Sequence, residues 1–288
     1  MVTLTIGRKI RLCIKDRVDP ATYVRLRSPY TAYTRLKAVM HRAYAHHSYC
    51  VIDTDGHPLK YRWDSVFTIK SGSFMTDERF ERAWRLAQQR ALIGRRDVRW
   101  RAHIFVALAD MASRLDGDMV ECGTFRGIYM HTAAEYLPLS KLDKTVYLFD
   151  TWTGLSAEHL FEWEKERARR IYNDCFEEVK RAFAHVPNIR MVRGPVPDTL
   201  GGVGVGRICF LHLDMNCTLP EKAALEFFWD KLVPGGVVLS DDYGDVGYEG
   251  QKKMYEDFAA AQGLTLLTLP TGQAVLFKPP AAKPNPTR

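Results

Sequence analysis

Residues 264–278 read LTLLTL (264–269), Pro270-Thr271-Gly272, then QAVLFK (273–278). Two β-rich apolar runs joined by a three-residue connection with Pro and Gly form a hairpin, so the last strand runs antiparallel to its neighbour. From about residue 118 up to this hairpin the pattern is different. Short apolar runs alternate with longer amphipathic ones: MVEC (119–122), TVYLFD (145–150), IRMVR (189–193), ICFLHLD (208–214) and VVLSDD (237–242). Such alternation is the signature of βαβ units and a mostly parallel sheet. Between the last two runs, the spacing of Ala223, Ala224, Phe227, Phe228 and the Lys231 stem predicts a helix over 220–232. It is expected to stop at Pro234-Gly235-Gly236 before the next strand.

The N-terminal third lacks this alternation. Residues 77–92 and 97–115 read as two consecutive helices broken near Gly94, with Trp84 and Trp100 as core residues. Residues 48–76 follow no regular period. The expected organisation is an N-terminal, mainly helical cap or lid over 1–100, a ligand-binding α/β domain over 101–278, and a disordered proline-rich tail over 279–288. No internal repeat is present.

Composition sets the outer limits. The 288 residues are 46% hydrophobic and 26% charged, enough for one substantial core and an accessory layer in a soluble globular protein. The longest apolar runs fall far short of the ~20 residues that cross a bilayer. The N-terminus lacks a signal-peptide pattern, so the expected location is the cytoplasm. Six scattered cysteines (Cys13, Cys50, Cys122, Cys175, Cys209, Cys217) show no CxxC spacing and read as free thiols.

The net charge of +7 is uneven: residues 1–100 hold 20 Lys and Arg against 9 Asp and Glu, and the remainder 21 against 25. A basic N-terminal third is compatible with an anionic substrate, a nucleic acid, a homo-oligomer contact or simply a solvated surface. No aromatic-basic recognition motif accompanies it, which argues against nucleic acid.

Three strand ends carry the chemistry. The first runs into Val120-Glu121-Cys122-Gly123-Thr124-Phe125-Arg126-Gly127. Gly123 and Gly127 allow close backbone approach, and the following helix N-terminus is electropositive. This is not the GxGxxG of a dinucleotide site. A carboxylate at Glu121 would repel a pyrophosphate but suits the ammonium group of S-adenosylmethionine. Asp150, at the end of the second strand, is placed either to bind the ribose hydroxyls of a nucleoside cofactor or to cap the next turn. Asp214 ends the fourth strand, and Asp241-Asp242 end the fifth, 27 residues after Asp214. Three carboxylates at one sheet edge repel one another unless a cation intervenes, and hard oxygen ligands suit Mg²⁺ or a similar ion. His212 lies on the same face of its strand as Asp214 and is either a base or orienting group or a satisfied buried histidine. His46-His47 diverge on a helix and read as surface.

The segments DGDMVECGTFRG, LFDTWTGL and HLDMNCTLPEKAALEFFWDKLVPGGVVLSDDYG resemble the macrocin-type O-methyltransferases, over roughly residues 77–278. The resemblance implies a class I methyltransferase, Rossmann-like sheet, S-adenosylmethionine as cofactor, Mg²⁺, and a small hydroxylated acceptor such as a sugar. It makes Asp214, Asp241 and Asp242 metal ligands and Glu121, Gly123 and Asp150 cofactor contacts; Asp214 is, on our own reading, the candidate proton acceptor. This chain departs from the family pattern after the fourth strand. It reads Asp214-Met215-Asn216-Cys217 where the family has DGDLYES, so Asn216 replaces a carboxylate and the tyrosine is missing. Rival readings are a metal-independent methyltransferase acting on an amine, carboxylate or macromolecule, and a basic nucleic-acid-binding module.

Overall fold

The computed structural model describes residues 60–91, 97–165 and 173–280. The chain forms two compact units, 1–62 with 67–70, and 63–66 with 71–288. Of the first, only 60–62 and 67–70 are described. These are the arms of a short hairpin, β1 (Tyr61–Trp63) and β2 (Val66–Thr68), whose tip belongs to the second unit. Cys13, Cys50, His46-His47, the break near Gly94, most of the expected cap and all but two residues of the tail lie outside the described residues.

The second unit opens with α1 (Glu78–Ala91) and α2 (Arg99–Ser113), as the 3.6-residue period requires. Trp84 of α1 is buried. On α2 the buried positions Arg101, Phe105, Ala109 and Ala112 form one stripe, in which a cation takes an apolar place. Then come β3 (Asp118–Cys122), α3 (Ile128–Tyr136), β4 (Val146–Asp150), α4 (Phe176–Ala182), β5 (Ile189–Arg193), β6 (Ile208–Leu213), α5 (Thr218–Trp229), β7 (Leu232–Ser240), α6 (Glu249–Ala261), β8 (Leu267–Thr268) and β9 (Ala274–Phe277).

The seven-stranded sheet has the order β5-β4-β3-β6-β7-β9-β8. The first five strands are parallel, and β9 runs antiparallel to both β7 and β8. All six residues of β6 are buried, as expected of a strand covered on both faces. Side chains such as Leu211, Leu213, Phe149, Val238 and Phe228 fill the core, each stabilising by roughly 1.5–3 kcal/mol.

Two expectations need correction. The helix before β7 ends at Trp229, and its buried face is Glu221, Ala224, Leu225, Phe228 and Trp229, one position later than the spacing suggested. Pro234-Gly235-Gly236 is not the helix stop but lies inside β7. There the register against β6 jumps from Ile208–Leu232 to Phe210–Val237, and Gly235 adopts a left-handed φ of 82°. A proline and a flexible pair are what such a bulge needs.

The strand order reverses at the β3/β6 boundary, so the crevice beyond these two carboxyl ends is where an open α/β sheet accepts ligands. Glu121 and Asp214 stand at or just beyond these two ends, and Asp150 and Asp241 at the adjoining ends of β4 and β7.

Candidate active site

Register brings the first pair together. Glu121 on β3 is directly opposite His212 on β6, and both are buried. Their side chains project to the same face, and His212 Nδ1 lies 3.0 Å from Glu121 Oε1. The other atoms, Glu121 Oε2 and His212 Nε2, are buried without a hydrogen-bond partner among the described residues. Burial raises Glu121 above the usual carboxylate range, though His212 opposes it. Burial alone would lower His212, but the carboxylates of Asp241 and Glu121 flanking its ring raise it to about 9.

Beyond β6 the chain continues along β3, with the Asp214 amide donating to the Cys122 carbonyl at 2.9 Å. This close approach explains Gly123, because a β-carbon there would overlap the Asp214 carbonyl group and sit 2.9 Å from the Met215 nitrogen. Gly127 caps α3 with φ 69°, where a β-carbon would strike the Phe183 ring.

Asp150 joins two loops. Its Oδ2 accepts from the Phe125 amide and its Oδ1 from the Trp152 amide, each at 2.6 Å. Phe125 and Trp152 both have left-handed φ, 45° and 55°, so the carboxylate holds in place a conformation that L-residues adopt at a cost. The Thr151 hydroxyl also lies 3.4 Å from Oδ1.

The acidic end of the crevice is built from β6 and β7. The ligand atoms of His212, Asp214 and Asp241 lie within 4.8 Å of one another. Asp242 stands outside that trio, with Oδ2 buried and unpaired. Asp241 is heavily tied. Its Oδ1 accepts from Gln273 Nε2 at 2.8 Å, and its Oδ2 from Arg101 Nη1 at 3.0 Å and Tyr129 OH at 3.2 Å. Burial would raise Asp241, but Arg101 and then His212 hold it well below the usual carboxylate range. Among the described residues Asp214 and Asp242 have no guanidinium bonded to them, and burial together with the Asp241 charge pushes both well above that range.

The altered loop after β6 is also organised. Asn216, with φ 59°, donates from Nδ2 to Asp214 Oδ1 at 3.2 Å and accepts from Tyr248 OH at 2.7 Å. A tyrosine therefore does reach this loop, from beyond β7 rather than from the loop itself. Glu221 of α5 accepts from the Met215 amide, Gln251 and Tyr255, which locks the turn from behind.

These donors fit a divalent cation. Asp214, Asp241 and Asp242, with Glu121, Asp64 and Asp245 nearby, outnumber the cations Arg101 and His212, and buried oxygen and nitrogen atoms are left unpaired. Among the sequence-predicted residues, Glu121, His212, Asp214 and Asp241 are brought together, whereas Asp150 and Gly127 serve the neighbouring loop. Arg101, Tyr129, Gln273, Asp64 and Asp245 were missed. Only Arg101 gave a signal, a charge in phase with the apolar stripe of α2.

The fold, with five parallel strands, an antiparallel terminal hairpin and acids at the strand ends, is that of a class I methyltransferase. Residues 62–270 match the family described as macrocin-O-methyltransferase (TylF), and the chain belongs to that family. A curated relative from Streptomyces olivaceus, 8-demethyl-8-(2,3-dimethoxy-alpha-L-rhamnosyl)-tetracenomycin-C 4'-O-methyltransferase, is 27% identical over 146 residues, 46% of this chain and 55% of that protein. The matched part thus spans just over half the length of that relative. The fold is similar to that of the O-methyltransferase NovP, with a TM-score of 0.56 and 22% identity, covering 62% of this chain and 79% of NovP. It is also similar to calicheamicin methyltransferase CalS11, with a TM-score of 0.52 and 19% identity, covering 72% and 94% of the two chains.

Proposed function

We propose that this protein transfers the methyl group of S-adenosylmethionine to a hydroxyl of a natural-product sugar, with a divalent cation assisting. The observation that carries this reading is the acidic crevice at the switch point, where Glu121, His212, Asp214 and Asp241 converge within a family of O-methyltransferases. The tetracenomycin relative, named for a rhamnosyl substrate, supports a sugar acceptor. Glu121 Oε2 suits the methionine ammonium, and Asp150 the ribose hydroxyls. Residues 1–100 are assigned to the acceptor side and 101–278 to the cofactor, in a cytoplasmic enzyme.

The reaction is one displacement. The acceptor oxygen bonds to the methyl carbon, the sulfur–methyl bond breaks with its electrons going to sulfur, and the hydroxyl proton passes to a base. Asp214 is that base, standing just beyond β6 in the group it forms with His212 and Asp241. Asn216 and Tyr248 orient it. Asp214 and Asp241, joined by Asp242 as the resemblance implies, would hold the cation, which supplies Lewis acidity towards the acceptor hydroxyl when bound. The rest of the site aligns oxygen and methyl and keeps water out.

Incubation with methyl-labelled S-adenosylmethionine and rhamnosylated acceptors, with and without chelator, tests the reading. Label should appear on a sugar oxygen and be lost with chelator. Label on nitrogen, carboxylate or polymer would overturn the acceptor assignment, and undiminished transfer in chelator the cation.

A further inference from the structure

Arg101 is 4% exposed, and all three of its guanidinium nitrogens are engaged. Nε donates to Asp64 Oδ2 at 2.6 Å, and Nη1 to the Asp241 carbonyl at 2.6 Å and to Asp241 Oδ2 at 3.0 Å. Nη2 reaches both Asp245 oxygens at 3.1 Å. A buried guanidinium without partners would cost several kcal/mol, so this arrangement demands its three carboxylates. They come from separate places: the β1–β2 tip, the end of β7 and the loop that follows.

The tip shows what the link does. Asp64 and Ser65 have φ of 51° and 58°, a turn geometry usually taken by Asn-Gly. A serine there is strained and persists only where its surroundings fix it. The Arg101–Asp64 bond is such a constraint. At the other end of the fork, the Oδ2 edge of Asp241 is occupied, and the Oδ1 edge faces Gln273 and His212.

We propose that Arg101 is a positioning residue for the methyl transfer: it fixes Asp241 by its Oδ2 edge and couples that carboxylate to the 63–66 tip and to Asp245. The Oδ1 edge, which accepts from Gln273 at 2.8 Å and has His212 Nε2 at 3.9 Å, is thereby fixed on the side of the crevice. This inference rests on the O-methyltransferase reading. Lysine cannot replace the fork, because one ammonium cannot bridge three carboxylates in a plane.

The test compares full-length wild type with Arg101→Lys, Arg101→Ala and Asp64→Asn. Read-outs are kcat, acceptor KM, thermal unfolding, calorimetric affinity for S-adenosylhomocysteine and Mn²⁺ affinity by electron paramagnetic resonance. Misplacing a reacting group by about 1 Å can cost about 10²-fold. Arg101→Lys should accordingly lose at least about tenfold in kcat, with S-adenosylhomocysteine affinity kept and Mn²⁺ affinity changed. Arg101→Ala should lose more and be partly restored by millimolar guanidinium. Asp64→Asn, which frees one arm only, should lose less than Arg101→Lys, and decides the matter with it if Arg101→Ala fails to fold. Wild-type kcat in Arg101→Lys would overturn the proposal, as would a parallel fall of stability and cofactor affinity in every variant. If the wild type transfers no methyl, the activity reading fails. The Mn²⁺ comparison then decides for Arg101, and equal affinities would overturn it.

Discussion

The carbonyl group of Asp214 occupies the space where a β-carbon on residue 123 would stand. Gly123 also has φ 90°, so both space and backbone geometry exclude a side chain. Gly123→Ala is expected to destabilise the protein by about 3 kcal/mol or more, combining overpacking with a left-handed alanine. Where it folds, turnover should fall with it, because Asp214 must move. Denaturant unfolding and kinetics measure both, and a stable, fully active Gly123→Ala would refute the account.

Asp150 is expected to act twice. Asp150→Ala should weaken S-adenosylhomocysteine binding in calorimetry by ~1.5–3 kcal/mol, the range for hydrogen bonds to a charged group. It should also free Phe125 and Trp152, whose amides it holds at 2.6 Å. Trp152 fluorescence and hydrogen exchange at the two amides report that release. Unchanged affinity would leave Asp150 with the loop role alone.

The carboxylates should separate by function. Activity should be lost in chelator and return with Mg²⁺ or Mn²⁺. Asp214→Asn, Asp241→Asn and Asp242→Asn should reduce turnover far more than cofactor affinity, with Asp214→Asn most severe because it also takes the proton. Full activity in chelator, together with wild-type turnover by all three variants, would remove the cation from the reading.

A fourth expectation concerns acid. His131 is fully buried, stacked 3.7 Å over Phe183, and neither of its nitrogens has a hydrogen-bond partner among the described residues. Burial, then Arg90 and His185, push its pKa down to about 3. With the folded value below the ordinary 6.5, the unfolded chain binds the proton first. Stability is therefore complete above about pH 6.5 and declines as pH falls towards 3, by up to about 1.4 kcal/mol per unit. His131→Phe keeps the stack and removes the titration. Between pH 7.5 and 5.5, urea unfolding should show wild type losing about 1.4 kcal/mol more than the variant. Equal losses would contradict this assignment.

Strands and hairpin were legible because their signals are local: period, apolar runs and turn residues. The acids at β3, β4, β6 and β7 were legible because strand ends in such a sheet converge. The β7 bulge was not, because Pro-Gly-Gly reads equally as a helix stop, and only pairing with β6 distinguishes the two. Gln273 and Asp64 carry no local mark, since nothing in a hairpin tip or a last strand announces a partner at Asp241. Arg101 gave half a signal: its phase on α2 says buried, but not what it is buried against.

The same fork has a kinetic side. Arg101 lies 37 residues from Asp64, 140 from Asp241 and 144 from Asp245 along the chain. Contacts of such long range must wait for the sheet to bring the two ends of the domain together. The fork should therefore close after the folding barrier, which makes it a late latch. Loosening it would leave the folding rate nearly unchanged and show itself in faster unfolding. Under that timing, Arg101 sets how long the assembled crevice survives once the chain has folded.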